Sequence, residues 1–265
     1  MIHKTLWNSW RELMGVPSAK LELENILSEN TSEKYVVFLD MDGVLVDMTK
    51  DTVEVINKNL SAYWKGVPLE EIHPKSEKNV YKRRAELKKL ATLMKADRQK
   101  KVTYKQFEHL TYLKDSGQLR REVDQQVGNY FYVMALGNWD FWVNMKSLAY
   151  ADELVALADT VSADTGGVRI LSAPLDQIVV DAKREWVAKN LPTVSPENVF
   201  IEKDKGKFLM EYEIPQGATA ILIDDREKYR KSFEAAGGKT ISYNPMKTKS
   251  SFKKVKLVLE AIINR

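Results

Sequence analysis

Five apolar residues, Tyr35-Val-Val-Phe-Leu39, run without interruption into two carboxylates one residue apart and a glycine, Asp40-Met-Asp42-Gly43. A short, unbroken apolar run fits a strand covered on both faces. Such a strand belongs to a parallel sheet with helices on either side. In open sheets of that kind ligands gather beyond the carboxyl ends of the strands. Asp40 and Asp42 therefore fall where a site forms. Paired carboxylates there suit a hard cation such as Mg²⁺, and one of them is able to attack an electrophile. Alone, an Asp-x-Asp is more often an acidic turn. It gains weight here because matching polar groups stand at three later strand ends.

The remaining totals mostly exclude. At 265 residues the chain holds one large domain, or a core with a second domain inserted. It has no cysteine, so disulfides, thiol catalysis and Cys-based zinc sites are ruled out. His3, His73 and His109 are too scattered to suggest a metal cluster. No apolar run approaches the ~18–20 residues that span a bilayer, and the start lacks the apolar core of a signal peptide. A cytoplasmic location without membrane partners is expected. The net charge of +4 says little about partners, and nothing in the sequence sets the oligomeric state.

Taken in order, residues 1–30 read as a helical extension. Leu6, Trp7, Trp10, Leu13 and Met14 lie near helical spacing, and Pro17 opens a second helix with Leu21, Leu23, Ile26 and Leu27. Residues 48–146 read as a mainly helical domain. Val53, Ile56, Leu60 and Trp64 share one helical face. Between 71 and 101 there are eleven Lys and Arg against four Asp and Glu, with Val80, Leu87, Leu90, Leu93 and Met94 as the apolar stripe. A run like this is most often a solvated helix face, although it also suits nucleic-acid phosphates. The dense group Gly137-Asn-Trp139-Asp-Phe141-Trp142 offers flat faces on which a base could stack. From about 148 onward strands alternate with helices: strands at 168–171, 199–201, 220–223 and 240–243, helices at 148–157, 181–190, 228–236 and 252–263. That alternation predicts a doubly wound, Rossmann-like parallel sheet over 31–47 and 147–265.

Four strand ends now carry polar groups: Asp40 with Asp42, Ser172, the lysines Lys203, Lys205 and Lys207, and Asp224 with Asp225. In a parallel sheet these ends share one edge, so the set converges despite its separation in sequence. Together they supply metal-assisted phosphoryl transfer. A phosphomonoester dianion repels an anionic nucleophile unless a cation screens both, which Mg²⁺ held by Asp40 and the Asp224–Asp225 pair would do. Ser172 and a lysine would hold the remaining phosphoryl oxygens. Asp42 would protonate the leaving alkoxide and later deprotonate the attacking water.

The order Asp-x-Asp, Ser, Lys, Asp-Asp resembles the haloacid dehalogenase (HAD) superfamily of phosphatases. Between Gly43 and Ser172 lie 128 residues, but only 32 separate Ser172 from Lys205. A lid therefore fits only in the first gap, the placement of a C1 cap. Ile170-Leu-Ser-Ala-Pro174, Lys183-Arg-Glu-Trp-Val187, Ile221-Leu-Ile-Asp-Asp-Arg226 and the pair Phe141-Trp142 resemble the 5'(3')-deoxyribonucleotidases within that group. The resemblance covers roughly 35–47 and 137–230. It implies Asp40 as nucleophile, phosphate binding by Ser172, Ala173 and Lys205 (with Lys207 as runner-up), and substrate contacts from Trp139, Phe141 and Trp142. It further implies Mg²⁺ bound by Asp40, the Asp42 main-chain oxygen and one of Asp224 or Asp225, with Asp225 favoured as the direct ligand. Lys183, beside a tryptophan on a helix, is expected to support structure or the substrate's edge.

The expectation is thus a Mg²⁺-dependent phosphomonoesterase acting on nucleoside monophosphates through an aspartyl-phosphate. The alternatives are a phosphatase for nucleic-acid ends, or one for another small phosphomonoester, including sugar phosphates and phosphotransfer to an alcohol. A non-catalytic binding protein with the same fold is disfavoured by the intact acidic set.

Overall fold

The computed structural model describes residues 17–27, 34–74, 79–104, 106, 121–135 and 137–264. The first expected helix, with Trp7 and Trp10, lies outside the described residues, as do Phe107 and Tyr112. The chain divides into two compact units, one of residues 48–146 with 175–183 and one of the remainder.

The larger unit is built on five parallel strands: β1 (Lys34–Leu39), β2 (Arg169–Ser172), β3 (Val199–Ile201), β4 (Ala218–Asp224) and β5 (Lys239–Ser242), in the order β3-β2-β1-β4-β5. This is the expected α/β, doubly wound sheet, and β1 is central as its apolar run requires. Val36 and Phe38 face a cluster with Leu222, Leu209 and Phe233, whose rings and those of Phe208 and Tyr212 meet Phe38 edge to face at 5.4–5.8 Å. Val37 and Leu39 point the other way and are equally buried, so both faces of β1 are covered. The helices of this unit are α7 (Ala151–Val161), α9 (Lys205–Glu211), α10 (Glu227–Ala235) and α11 (Thr248–Ile263), while α8 (Gln177–Asn190) has its first half, to Lys183, in the second unit and the remainder in this one.

The helix expected after Pro17 is present as α1 (Pro17–Leu27). It packs on α11 and β5 and buries Leu23 and Ile26, while Leu21 is exposed. A polar clasp holds it there. Glu22 Oε1 accepts from Lys254 Nζ (2.9 Å) and from Ser242 Oγ (2.6 Å), and Lys254 Nζ also donates to Ser242 (2.6 Å).

The second unit is helical: α2 (Met48–Trp64), α3 (Leu69–Ile72), α4 (Val80–Ala96), α5 (Glu122–Ala135) and α6 (Trp139–Val143). Val53, Ile56 and Leu60 of α2, Leu87, Leu90 and Met94 of α4 and Val123, Val127, Tyr130 and Val133 of α5 form its core. The basic stretch is not one continuous helix. It breaks after Ile72, where His73 is extended (φ −132°, ψ 93°) ahead of Pro74, as the steric demand on a residue preceding proline requires. Nor are all its cations solvated. Arg83 donates to Val133 O (2.9 Å) and Arg84 to His73 O (2.6 and 3.0 Å), inside the unit. Among the described residues no helix is long and apolar enough to cross a membrane.

Candidate functional site

β1 and β4 run in register, with Leu39 opposite Ile223, and the ladder extends one step further, where Asp40 N–H donates to Ile223 O (2.9 Å). Asp40 and Asp224 thus leave adjacent central strands at the same level. Asp40 is 3% exposed and Asp224 fully buried. Beyond β3 the chain turns through Asp204, whose Oδ1 caps α9 by accepting from the N–H groups of Gly206 and Lys207 (3.1 and 3.0 Å). That cap fixes Lys205 as the first helical residue. Its side chain, fully buried, donates to Asp40 Oδ1 (2.7 Å) and Asp224 Oδ2 (2.6 Å). Lys207, two residues on, is exposed and pairs with Glu211 (3.6 Å).

Burial alone would pull the Lys205 pKa down, but the charges of Asp224 and Asp40 and its bonds to both hold it above the ordinary lysine range. Burial pushes the Asp224 carboxyl up, against the pull of Lys205, and the neighbouring charge of Asp40 pushes it further. Two buried carboxyl groups share one ammonium, so the cluster is balanced when Asp224 keeps its proton or when a further cation joins it.

Asp225 adds a third carboxylate. Asp40, Asp224 and Asp225 each offer an oxygen, and these oxygens lie within 4.8 Å of one another. All three donors are hard oxygens, which fits Mg²⁺. The turn after β1 is shaped to admit Asp225. Gly43 takes φ +83°, and a Cβ there would stand 2.5 Å from Asp225 Oδ2 and 3.0 Å from its Cγ. Leu45 and Val46 N–H both donate to Met41 O (2.9 and 3.0 Å), which closes the turn around half-buried Asp42. Asp42 lies outside the trio of oxygens. Immediately beyond, Val46 forms an antiparallel bridge with Ser147, and Leu148 N–H donates to Leu45 O (2.8 Å).

Of the other expected site residues, Ser172 ends β2 on the same edge, fully buried, with its carbonyl accepting from Glu202 N–H (2.8 Å). Ala173 follows it, half-buried. Trp139, Phe141 and Trp142 belong to the helical unit. Trp142 is 1% exposed, donates Nε1–H to Ala135 O (3.0 Å) and has Lys183 Nζ 5.0 Å from its ring centre. Phe141 is also buried, edge-on to Trp142 at 5.2 Å. Trp139 is half-buried and keeps some contact with solvent.

Three residues here carry no role in the sequence reading, although Arg226 belongs to the Ile221–Arg226 motif. The Tyr229 ring stands beside Lys205 Nζ (5.1 Å) and Arg226 (5.2 Å to Cζ). Arg226 N–H donates to Asp224 Oδ1 (2.7 Å), and Arg230 donates to Asp224 O (2.9 Å). Tyr229 and Arg230 stand three and four residues after Arg226, the spacing that puts them over it on a helix.

No protein-family model and no curated protein matches the chain. Solved structures similar to it include a haloacid dehalogenase-like family hydrolase from Xanthomonas campestris (14% identity, 81% of this chain and 84% of that one, TM-score 0.41). Others are a hydrolase from Streptococcus pneumoniae (12%, 78% and 91%, TM-score 0.40) and a haloacid dehalogenase-like protein from Agrobacterium tumefaciens (15%, 79% and 82%, TM-score 0.37). At these values the likeness carries nothing about activity.

Proposed function

We propose that the chain is a HAD-type, Mg²⁺-dependent phosphomonoesterase acting on nucleoside monophosphates. The observation that carries this reading is the buried Lys205 ammonium bridging Asp40 and Asp224, with Asp225 alongside. One ammonium neutralises one carboxylate, and the second is left to a proton or another cation. Two carboxylates on one ammonium, with a third in reach, form a site that favours an added cation and a phosphoryl group together.

Asp40, Asp225 and Asp224 would hold the ion, with the Asp42 main-chain oxygen as a further donor. Asp224 already accepts from Lys205 on one oxygen and from Arg226 N–H on the other, which favours Asp225 as the direct ligand. Bound there, the ion supplies charge neutralisation between the phosphate dianion and the carboxylates. An Asp40 oxygen forms a bond to phosphorus as the P–O bond to the leaving alkoxide breaks, and the alkoxide takes the Asp42 proton. A water then attacks the aspartyl-phosphate and gives its proton to Asp42, which regenerates both carboxyl groups in their starting states. Lys205 and Ser172 stabilise the phosphoryl oxygens through both steps. The nucleotide part rests on the sequence resemblance and on the aromatic stretch 139–142, in which Trp139 is only half-buried.

The test is phosphate release from a panel of nucleotides and sugar phosphates, with Mg²⁺ or with EDTA. Release only with Mg²⁺, and fastest on nucleotides, is expected. No Mg²⁺-dependent release from any substrate would sink the phosphatase reading. A sugar-phosphate preference above about tenfold, or ~1.4 kcal/mol at the transition state, would sink the nucleotide part alone.

A further inference from the structure

We infer that the solvent face of α4 is a docking track for single-stranded nucleic acid. This stands apart from the chemistry assigned to Asp40. Helix α4 turns Leu87, Leu90 and Met94 into the core of the helical unit, and its outward side carries Lys82, Lys88, Lys89 and Lys95, all exposed. Between them on that side stand Ala85, Thr92 and Ala96, with no acid. The helix's one acid, Glu86, is half-buried and accepts from Gln126. Among the described residues none of the four lysines is in an ion pair.

An ordinary solvated helix face mixes signs at three- and four-residue spacing, because like charges there repel. This face does not. Lys82 with Lys89, and Lys88 with Lys95, form two rows seven residues apart, so the positive stripe runs ~20 Å along the axis at 1.5 Å per residue. Past the helix end exposed Asp97 interrupts the stripe and Arg98, Lys100 and Lys101 resume it, the two lysines lining a cavity of about 650 Å³ with Arg121 and Asp124. The excess is regional. Residues 48–146 hold nineteen Lys and Arg against twelve Asp and Glu, a formal +7, and the rest of the chain is −3.

Aromatic surface accompanies the charge. Tyr81 in the first turn of α4 is 75% exposed, and Tyr104, beyond its far end, 42%. Cations in a row with exposed rings at both ends match a strand whose phosphates meet lysines and whose unstacked bases meet tyrosines. A duplex would leave the rings unused. An anionic membrane would meet the lysines by charge alone, since the apolar side of the helix is inside the unit, and would leave the ring spacing unused.

The experiment is fluorescence anisotropy of the full chain with a labelled oligothymidylate in EDTA, over about 50–200 mM salt. Four phosphate contacts predict a roughly fifty-fold loss of affinity across that range. The Lys88→Glu/Lys89→Glu double variant is expected to bind at least about tenfold more weakly, with a flatter salt dependence. Tyr81→Ala should lose about fivefold or more at fixed salt without changing that slope. Lys249→Glu/Lys253→Glu, on the exposed side of α11, is the control and should bind like wild type. Absence of salt-sensitive binding, equal losses in control and stripe variants, or unchanged binding by Tyr81→Ala would each overturn the assignment. So would stripe-dependent binding to phosphatidylserine vesicles with none to the oligonucleotide.

Discussion

The densest charge in each unit is placed differently. The sheet unit brings Asp40, Lys205 and Asp224 inside, where each contact is short and an unpaired group is costly. The helical unit sends Lys82, Lys88, Lys89 and Lys95 outward, where each charge is hydrated and individually worth little. Charge in the first region is dense, position-dependent and suited to bond-making. In the second it is spread out and suited to adhesion. A substitution should therefore be severe and local in one unit, graded and additive in the other.

The largest effect should come from Asp40→Asn, which keeps the side chain's shape and removes its charge. Turnover should fall on the order of 10⁴-fold or more, with the circular dichroism spectrum unchanged. Near-wild-type phosphate release would break the contrast at once.

Lys205→Met comes next. Removing one partner of a buried ionic cluster costs about 3–5 kcal/mol in unfolding experiments. Because the carboxylates left behind have lost their ammonium, Mg²⁺ should restore more melting temperature to this variant than to wild type. Equal Mg²⁺ shifts in both would show that ion and lysine do not share a site.

Leu90→Ala tests the helical unit, with an expected cost of about 2–5 kcal/mol from the cavity left in its core. Mg²⁺ affinity, measured by calorimetry, should stay as in wild type if each unit's energetics is its own. The smallest effect should be that of Glu22→Gln, which weakens the clasp to Lys254 and Ser242 for about 1–2 kcal/mol in urea denaturation.

The strands were legible because a strand covered on both faces must be continuously apolar, and Tyr35–Leu39 and Ala220–Ile223 are. Convergence of Asp40 and Asp224 followed from parallel topology alone. The choice between Lys205 and Lys207 did not, since both follow β3 and only the Asp204 cap decides which faces inward. The aromatic stretch 139–142 shows a different limit. A cluster of rings reads the same whether offered to a ligand or packed away, and Trp142 finds its N–H partner in the Ala135 carbonyl, a contact that leaves no trace in spacing. The basic run was opaque for a similar reason. Arg83 and Arg84 look like surface cations in sequence, yet their guanidinium groups bind backbone carbonyls inside the unit.

The pairing of Val46 with Ser147 has a consequence for how such a chain can change. Residues 48–146 depart from and rejoin the sheet unit at neighbouring points, so the entropy of closing that excursion is already met by two adjacent backbone positions. Closure cost grows only slowly with loop length. Lengthening or trimming the excursion should therefore cost the ladder between β1 and β4 little. A change of length within 48–146 should be felt first inside the helical unit and least at the strand ends that carry Asp40 and Asp224.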